Sequence, residues 1–226
     1  MLAILRHADY RQPEDVPSAH LPWPLTGAGE AQALAAGQSL GEIAAARGLA
    51  IHPVIDSSRM LRAWQTADLI RRALALDLEI AEFDALAERS VGAAANLTVT
   101  EIESLLAEDP RYEVPSAGWK SRADFRLPLQ GAESLTDAGA RVASHIEHAL
   151  DDCGDDELKI LVGHGASIRH AMAKLGVLSP DEVAARSMYH ASPILLQYVA
   201  TGWRQVGGEW KLRQRSGDSD EFRGQP

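Results

Sequence analysis

The sequence predicts an α/β protein with a mostly parallel central sheet. Short apolar segments alternate along the chain with longer segments that repeat apolar residues at helical spacing, and this alternation is typical of parallel β-α-β units. The first apolar segment, residues 2–5, stops abruptly at Arg6 and His7. In open α/β sheets, ligands bind beyond the carboxyl ends of such strands. The predicted fold therefore also indicates where functional residues should lie.

Six segments predict strands, because each is short, apolar and bounded by polar or turn-forming residues. The last two would close the chain as a hairpin. The predicted strands span residues 2–5, 51–56, 78–83, 158–163, 193–200 and 203–212.

Six segments predict helices, at residues 30–46, 60–76, 100–107, 134–150, 168–175 and 180–185. Gly48 should end the first helix, because glycine adopts the left-handed conformation common after a helix. Candidate N-terminal caps are Thr26 for the first helix, Thr98 or Thr100 for the third, and Ser134 or Thr136 for the fourth.

Three segments predict loops. Residues 9–24 contain four prolines, which forbid regular structure, and we expect this loop to cover the mouth of a site. Residues 85–92 lack a clear period, and residues 109–130 are irregular. Residues 1–213 are expected to form a single domain, followed by a disordered polar tail at 214–226.

The composition is that of a globular protein, with 46% hydrophobic and 24% charged residues in a chain of 226. The net charge of −10 argues against a nucleic-acid or membrane-surface binder, because both need a basic face. The single cysteine, Cys153, excludes a disulfide within the chain and a thiol-rich metal site. No signal peptide or membrane-spanning run is visible, so we expect a cytoplasmic protein.

Three strand ends carry matching polar residues. The first ends in Arg6-His7, the second leads into a helix that bears Arg62, and another ends in His164-Gly165 at the start of a helix. If these strands are parallel neighbours, their ends converge at one crevice. Two arginines, two histidines and a helix N-terminus favour a phosphoryl ligand, and Gly165 would let the backbone approach it closely. No P-loop is present.

This set of residues indicates phosphoryl transfer. A neutral imidazole can attack phosphorus and form a phosphohistidine, provided that its other ring nitrogen is held by an acceptor. A second imidazole would stabilise the oxygens of the transferring group. A carboxyl group over the pocket could protonate the leaving oxygen, and Glu88 is the candidate by its position in the sequence.

Each candidate residue also has a purely structural interpretation. His164 alone is typical of a strand end, Arg62 alone of a solvated helix surface, and Glu88 alone of a surface carboxylate paired with Arg89. His145 and His148 lie three apart on one helix without a third ligand nearby, so we interpret them as surface residues and not as a metal site. No role is assigned to His20, His52, His170 and His190.

Taken together, several blocks of the sequence resemble the histidine phosphatase superfamily, the phosphoglycerate mutase-like group. The blocks follow one another in the expected order between residue 2 and about residue 200. They are residues 5–8 (LRHA), 24–29 (PLTGAG), 57–67 (SSRMLRAWQTA), 86–89 (LAER), 131–134 (GAES) and 161–165 (LVGHG).

The resemblance implies a three-layer α/β/α sandwich and a phosphohistidine mechanism that needs no metal or other cofactor. By position, His7 would be the nucleophile, and Arg6, Arg62 and His164 would form the rest of the phosphate pocket, with help from the backbone of Gly165. Glu88 matches the proton donor of mutase-like members.

The sequence also departs from that family. Ala8 replaces the usual glycine, residues 9–12 do not match the pattern of the glycolytic mutases, and Ala166 replaces their asparagine. The second histidine is followed by glycine and not by the aspartate of the acid phosphatases. These departures favour a phosphomonoesterase that acts on a small phosphorylated metabolite or a phosphoprotein. The alternatives are a phosphoglycerate mutase-type phosphomutase and a non-catalytic module that binds phosphate or a phosphopeptide.

The physiological substrate and the oligomeric state are not predicted. Specificity should reside in the loops at residues 9–24 and 90–130, because loops carried by a rigid scaffold commonly determine what a site binds.

Overall fold

The computed structural model describes residues 1–17 and 20–213. Nine strands, β1 to β9, span Leu2–Arg6, Ala50–Ile51, Val54–Ser58, Glu79–Phe83, Glu157–Gly163, Arg186–Met188, Ile194–Val199, Gly202–Gly207 and Trp210–Leu212. Six α-helices, α1 to α6, span Gly27–Arg47, Leu61–Leu74, Val99–Glu108, Leu135–Asp151, Gly165–Lys174 and Pro180–Ala185. None of these helices is long and apolar enough to cross a membrane.

The central sheet has the strand order β4-β3-β5-β1-β7-β8, and β2 also pairs with β5. Strands β4, β3, β5 and β1 are mutually parallel. At one edge, β7 pairs antiparallel with β1, and β8 pairs antiparallel with β7. The predicted mostly parallel sheet is confirmed.

Helices cover both faces of the sheet. Because alternate residues of a strand point to opposite faces, Ala3 and Leu5 of β1 pack into a core with α1 and α2. Leu2 and Ile4 of the same strand pack into a second core with α4 and α5. All four side chains are almost completely buried. The predicted three-layer α/β/α arrangement is therefore observed.

Residues 91–132 form a smaller apolar cluster of their own. Trp119, Ile102 and Leu106 are its largest fully buried side chains, and a capping box between Thr98 and Glu101 fixes the start of α3. Residues 109–130 contain only one short 3₁₀ turn, at Trp119–Ser121, as the irregular sequence predicted.

The differences from the predicted elements are local. Helix α1 begins at Gly27 because Thr26 accepts a hydrogen bond from the Gly29 N–H, and α5 begins directly at Gly165. The prediction of a single strand at 51–56 is wrong, because the segment around Pro53 is not part of a strand and separates two strands, β2 and β3. The predicted strand at 203–212 divides into β8 and β9, and β9 pairs with β6, which was not predicted. The predicted tail at 214–226 lies outside the described residues.

Candidate active site

The carboxyl ends of β1, β3 and β5 meet at one edge of the sheet. Arg6 of β1 is in register with Gly163 of β5, and Ser57 of β3 with Val162. The His7 N–H continues the ladder to the Gly163 carbonyl at 2.8 Å. The structure therefore brings together Arg6, His7, Arg62 and His164, as the sequence predicted.

Two hydrogen bonds orient the His7 ring in the way that a nucleophile would need. Its ring is 2% exposed, and Nδ1 lies 2.8 Å from the Ala8 carbonyl oxygen, which can only accept a hydrogen bond. The proton therefore belongs on Nδ1 and the lone pair on Nε2. Nε2 accepts a 3.2 Å hydrogen bond from Arg62 Nε, so the lone pair faces the guanidinium where an anion would bind.

His164 is fully buried and 5.1 Å from the ring of His7, measured between ring centroids. Its Nδ1 lies 3.1 Å from Arg62 Nη2, and because arginine only donates, Nδ1 carries the lone pair. Nε2 then donates to Ser58 Oγ at 2.9 Å. Both imidazoles are thus oriented by the same arginine.

Arg62 is completely buried at the centre of this group. Besides the two imidazoles, it donates through Nη1 to the Leu21 carbonyl oxygen at 3.0 Å. Its guanidinium carbon lies 4.6 Å from the centre of the Tyr10 ring. The alternative of a solvated helix residue is therefore wrong for Arg62.

Arg6 and Gly165 pack against each other. Arg6 donates through Nη1 to the Met188 carbonyl oxygen at 3.2 Å. A Cβ atom on Gly165 would stand 3.1 Å from Arg6 Cδ, closer than ordinary van der Waals contact. Glycine at the first residue of α5 therefore leaves room for the guanidinium beside the helix N-terminus.

The segment after His7 is fixed from two sides. The Ala8 N–H donates to Thr66 Oγ1 at 3.0 Å, and Thr26 Oγ1 donates to the Asp9 carboxylate at 2.7 Å. Any Cβ on Gly29 would clash with the Asp9 carbonyl oxygen. The Thr26-to-Gly29 turn therefore clamps the chain directly behind His7.

Burial and positive charge lower the pKa of both histidines well below its ordinary value. For His7 and His164 alike, burial is the largest cause, followed by the Arg62 guanidinium. The buried guanidinium makes a further positive charge on either imidazole unfavourable. A bound anion would offset this positive charge, so the electrostatics of the site suit a phosphate group.

Glu88 lies at the start of α5, next to this group. Oε1 accepts from the N–H groups of Arg89 (2.9 Å) and Ser167 (3.0 Å), and Oε2 accepts from the Ala166 N–H at 3.2 Å. The side chain is buried, so the alternative of a surface carboxylate is wrong. A helix N-terminus favours a carboxylate at this position.

Sequence reasoning missed His190. Its ring centroid lies 5.7 Å from that of His7, and Nδ1 lies 3.9 Å from Asp9 Oδ1. Burial, followed by Arg6 and Lys211, lowers its pKa to about 2. His190 enters from the segment between β6 and β7, which pairs with Arg6 through an isolated bridge, and no local signal marks that pairing.

The interpretation of His145 as a surface residue is wrong, whereas His148 is exposed. His145 Nε2 lies 2.9 Å from Asp56 Oδ2 beneath α4. Within residues 1–17 and 20–213, no group of three or more His, Cys, Asp or Glu side chains could hold a metal ion.

Comparisons with known proteins identify relatives of this chain. A family model described as histidine phosphatase superfamily (branch 1) matches residues 2–210. A 2,3-bisphosphoglycerate-dependent phosphoglycerate mutase of Brucella ovis is 31% identical over 178 residues, which is 78% of this chain and 81% of the mutase.

Solved structures share the fold at lower identity. A mycobacterial glucosyl-3-phosphoglycerate phosphatase superposes with a TM-score of 0.66 at 23% identity, over 93% of this chain and 95% of the phosphatase. The same phosphatase in complex with inorganic phosphate gives 0.62 at 22% identity, over 94% and 95%. A putative α-ribazole-5'-P phosphatase of Escherichia coli gives 0.67 at 17% identity, over 90% and 93%.

Proposed function

The chain belongs to the histidine phosphatase superfamily, and we propose that it is a phosphomonoesterase that works through a phosphohistidine on His7 without a metal. The superfamily includes phosphatases and phosphomutases, as the matched proteins show. The observation that carries the proposal is the pairing of a neutral His7, with its lone pair on Nε2, and the buried Arg62.

The first step transfers the phosphoryl group to His7. Nε2 attacks phosphorus in line, an N–P bond forms and the bond from phosphorus to the ester oxygen breaks. Arg62 must release its hydrogen bonds to both imidazoles and donate to phosphoryl oxygens, together with Arg6 and the N–H groups near Gly165. His164 Nδ1 then no longer accepts from Arg62, and it must take up a proton before it can donate to the same oxygens. Two guanidiniums supply the positive charge that a metal ion would supply elsewhere.

Glu88 is proposed as the proton donor to the leaving oxygen. In the second step it would act as the base for a water molecule that cleaves the N–P bond and regenerates His7. In the structure both of its oxygens accept backbone N–H bonds. The acid role therefore requires a substrate to draw the carboxyl group away from these partners.

Hydrolysis is favoured over mutase activity by Asp9 in the segment that follows His7. Asp9 is itself an anion, hydrogen-bonded to Thr26, and it would repel a phosphoglycerate carboxylate. The mutase is the second candidate, because the matched Brucella protein carries that name.

The test is hydrolysis of p-nitrophenyl phosphate by the wild-type protein and by His7→Ala, in the presence of a chelator. We expect activity in the wild type and none in the variant. Equal rates would refute the role of His7, and activity that the chelator abolishes would refute a metal-free reaction. Exchange between labelled 2- and 3-phosphoglycerate without free phosphate would establish the mutase. No turnover of any phosphoester, with retained phosphate binding, would establish the non-catalytic module.

A further inference from the structure

A cavity separate from the candidate active site lies on the α4 side of the sheet, with a volume of about 610 Å³. It is bounded by β3, β4, the start of β5 and the C-terminal half of α4. None of its lining residues belongs to the candidate active site, so it does not depend on the proposed phosphatase activity.

The floor of the cavity is a buried group of matched charges. Asp56 and Lys159 are each 3% exposed, and Lys159 Nζ lies 3.3 Å from Asp56 Oδ1. The other carboxylate oxygen, Oδ2, receives His145 Nε2 at 2.9 Å. An ammonium has three N–H donors, so a ligand with an acceptor atom could share Lys159 with Asp56.

The α4 wall presents hydrogen-bond acceptors. Because a carboxylate and a carbonyl only accept, the contact with Asp56 places the proton of His145 on Nε2. In the same way, a 2.6 Å contact with the Ser144 carbonyl places the proton of His148 on Nδ1. The remaining lone pairs, on His145 Nδ1 and His148 Nε2, can accept N–H bonds. Asp152 adds a carboxylate at the helix end.

The charge around the opening disfavours anions. Asp152 lies at the C-terminal cap of α4, where the helix dipole is also negative. Lys159 is the only cationic side chain among the described lining residues that carries a permanent charge, and Asp56 already balances it. A phosphate or a carboxylate would therefore meet net negative potential.

The remaining walls are apolar and include an aromatic ring. Phe83 packs on the His145 ring with the centroids 4.5 Å apart, and Pro53 and Val54 line the sheet side. A flat ring could bury its faces against these side chains while its edge reaches the polar atoms.

We propose that this cavity is a binding site for an uncharged, flat heterocycle that carries amino groups, of the kind found in nucleosides. Its N–H groups donate to His145 Nδ1, His148 Nε2 and Asp152. A ring nitrogen or carbonyl accepts from Lys159. Strands β3 and β5 line this cavity and also lead to Ser58 and His164, so the two sites share their scaffold.

The experiment is calorimetric titration of the full chain with adenosine, which has no phosphoryl group and so cannot occupy the first site as a substrate. We expect binding that persists when orthovanadate saturates the phosphate site. Asp152→Asn should weaken binding about tenfold, because a charge-assisted hydrogen bond to the carboxylate is replaced by a weaker one to a neutral amide oxygen. Asp151→Asn is the matched control, because Asp151 precedes Asp152 on α4 without lining the cavity, and it should leave affinity unchanged.

A second pair of variants tests the His148 acceptor. His148→Phe keeps a ring and removes the lone pair, and it should weaken adenosine binding by a similar factor, whereas Glu147→Gln should not. The proposal is overturned if adenosine does not bind up to its solubility limit, if orthovanadate displaces it, or if the lining and control variants bind equally. Binding of benzoate in preference to adenosine would also overturn it, because that result would identify an anion site.

Discussion

Strands β3 and β5 each contribute to two buried histidine groups, and the two groups differ in their charge balance. At the strand ends, Ser58 and Arg62 hold His164, and burial, followed by the two arginines, lowers the pKa of the imidazole. Further back on the same strands, Asp56 and Lys159 form an ion pair that also binds His145. The first group accumulates positive charge, whereas the second is balanced within itself.

The difference indicates what each group does. Burying like charges costs stability, so a fold that keeps them gains something when an anion binds. In a balanced buried ion pair, by contrast, losing either member leaves the other charge uncompensated and lowers the stability of the fold. We therefore expect substitutions at the strand ends to reduce activity, and substitutions in the balanced group to reduce stability.

The largest effect is expected for Arg62→Met. The variant loses two N–H donors that would face the transferring phosphoryl group, so kcat/KM for p-nitrophenyl phosphate should fall about 10³-fold. Arg59→Met is the control, because Arg59 is exposed on the preceding turn and pairs with Asp84, and it should retain full activity. A loss of less than about tenfold in Arg62→Met would contradict the central role of this arginine.

Glu88→Gln should lower kcat about 10²-fold or more for an alkyl phosphate, whose leaving oxygen needs a proton. The same variant should lose much less activity on p-nitrophenyl phosphate, because nitrophenolate leaves without a proton. Equal losses on both substrates would show that Glu88 only positions the start of α5 through Ala166 and Ser167.

Asp56→Ala should lower the free energy of unfolding by about 3–5 kcal/mol, because it leaves the buried Lys159 ammonium without its partner. Activity per folded molecule should stay within about twofold of the wild-type value, since Asp56 lies outside the strand-end group of Arg6, His7, Arg62 and His164. Urea unfolding gives the first quantity and an assay at low denaturant the second. A stable but inactive variant would reverse the assignment of the two groups.

The smallest effect concerns pH. The folded-state pKa of His7 is lowered, so below about pH 6.5 the unfolded chain binds a proton that the folded chain refuses. The contribution of His7 to the free energy of unfolding is therefore fully present above that pH and is lost on acidification, so that stability falls. Removing this histidine in His7→Gln should make the fall shallower by about 1.4 kcal/mol per pH unit. Parallel curves for variant and wild type in urea titrations would refute the lowered pKa.

The sequence predicted that the strand-end group of Arg6, His7, Arg62 and His164 would come together, because the signals for it are local to each strand. Arg6-His7 and His164-Gly165 directly follow apolar runs, and parallel neighbours must bring such ends together. The cap at Thr26 was likewise predicted from adjacent residues, whereas the sequence left two candidates each for α3 and α4, of which the structure uses Thr98 and Ser134.

The balanced group could not be predicted in the same way. Asp56 is distant in sequence from His145 and Lys159, and no local pattern marks the three as partners. Only the packing of α4 over β3 and β5 joins them. The same reason hid His190 and the pairing of β6 with β9, which depend on contacts between distant segments.

The most direct test of the account is to mix the protein with p-nitrophenyl phosphate, quench it rapidly under alkaline conditions, and locate any phosphate by mass spectrometry. We expect an acid-labile, alkali-stable phosphate on the His7 ring in the wild type, and none in His7→Ala. Turnover without a covalent phosphoenzyme, or phosphate found on His164 or His190 instead, would contradict it.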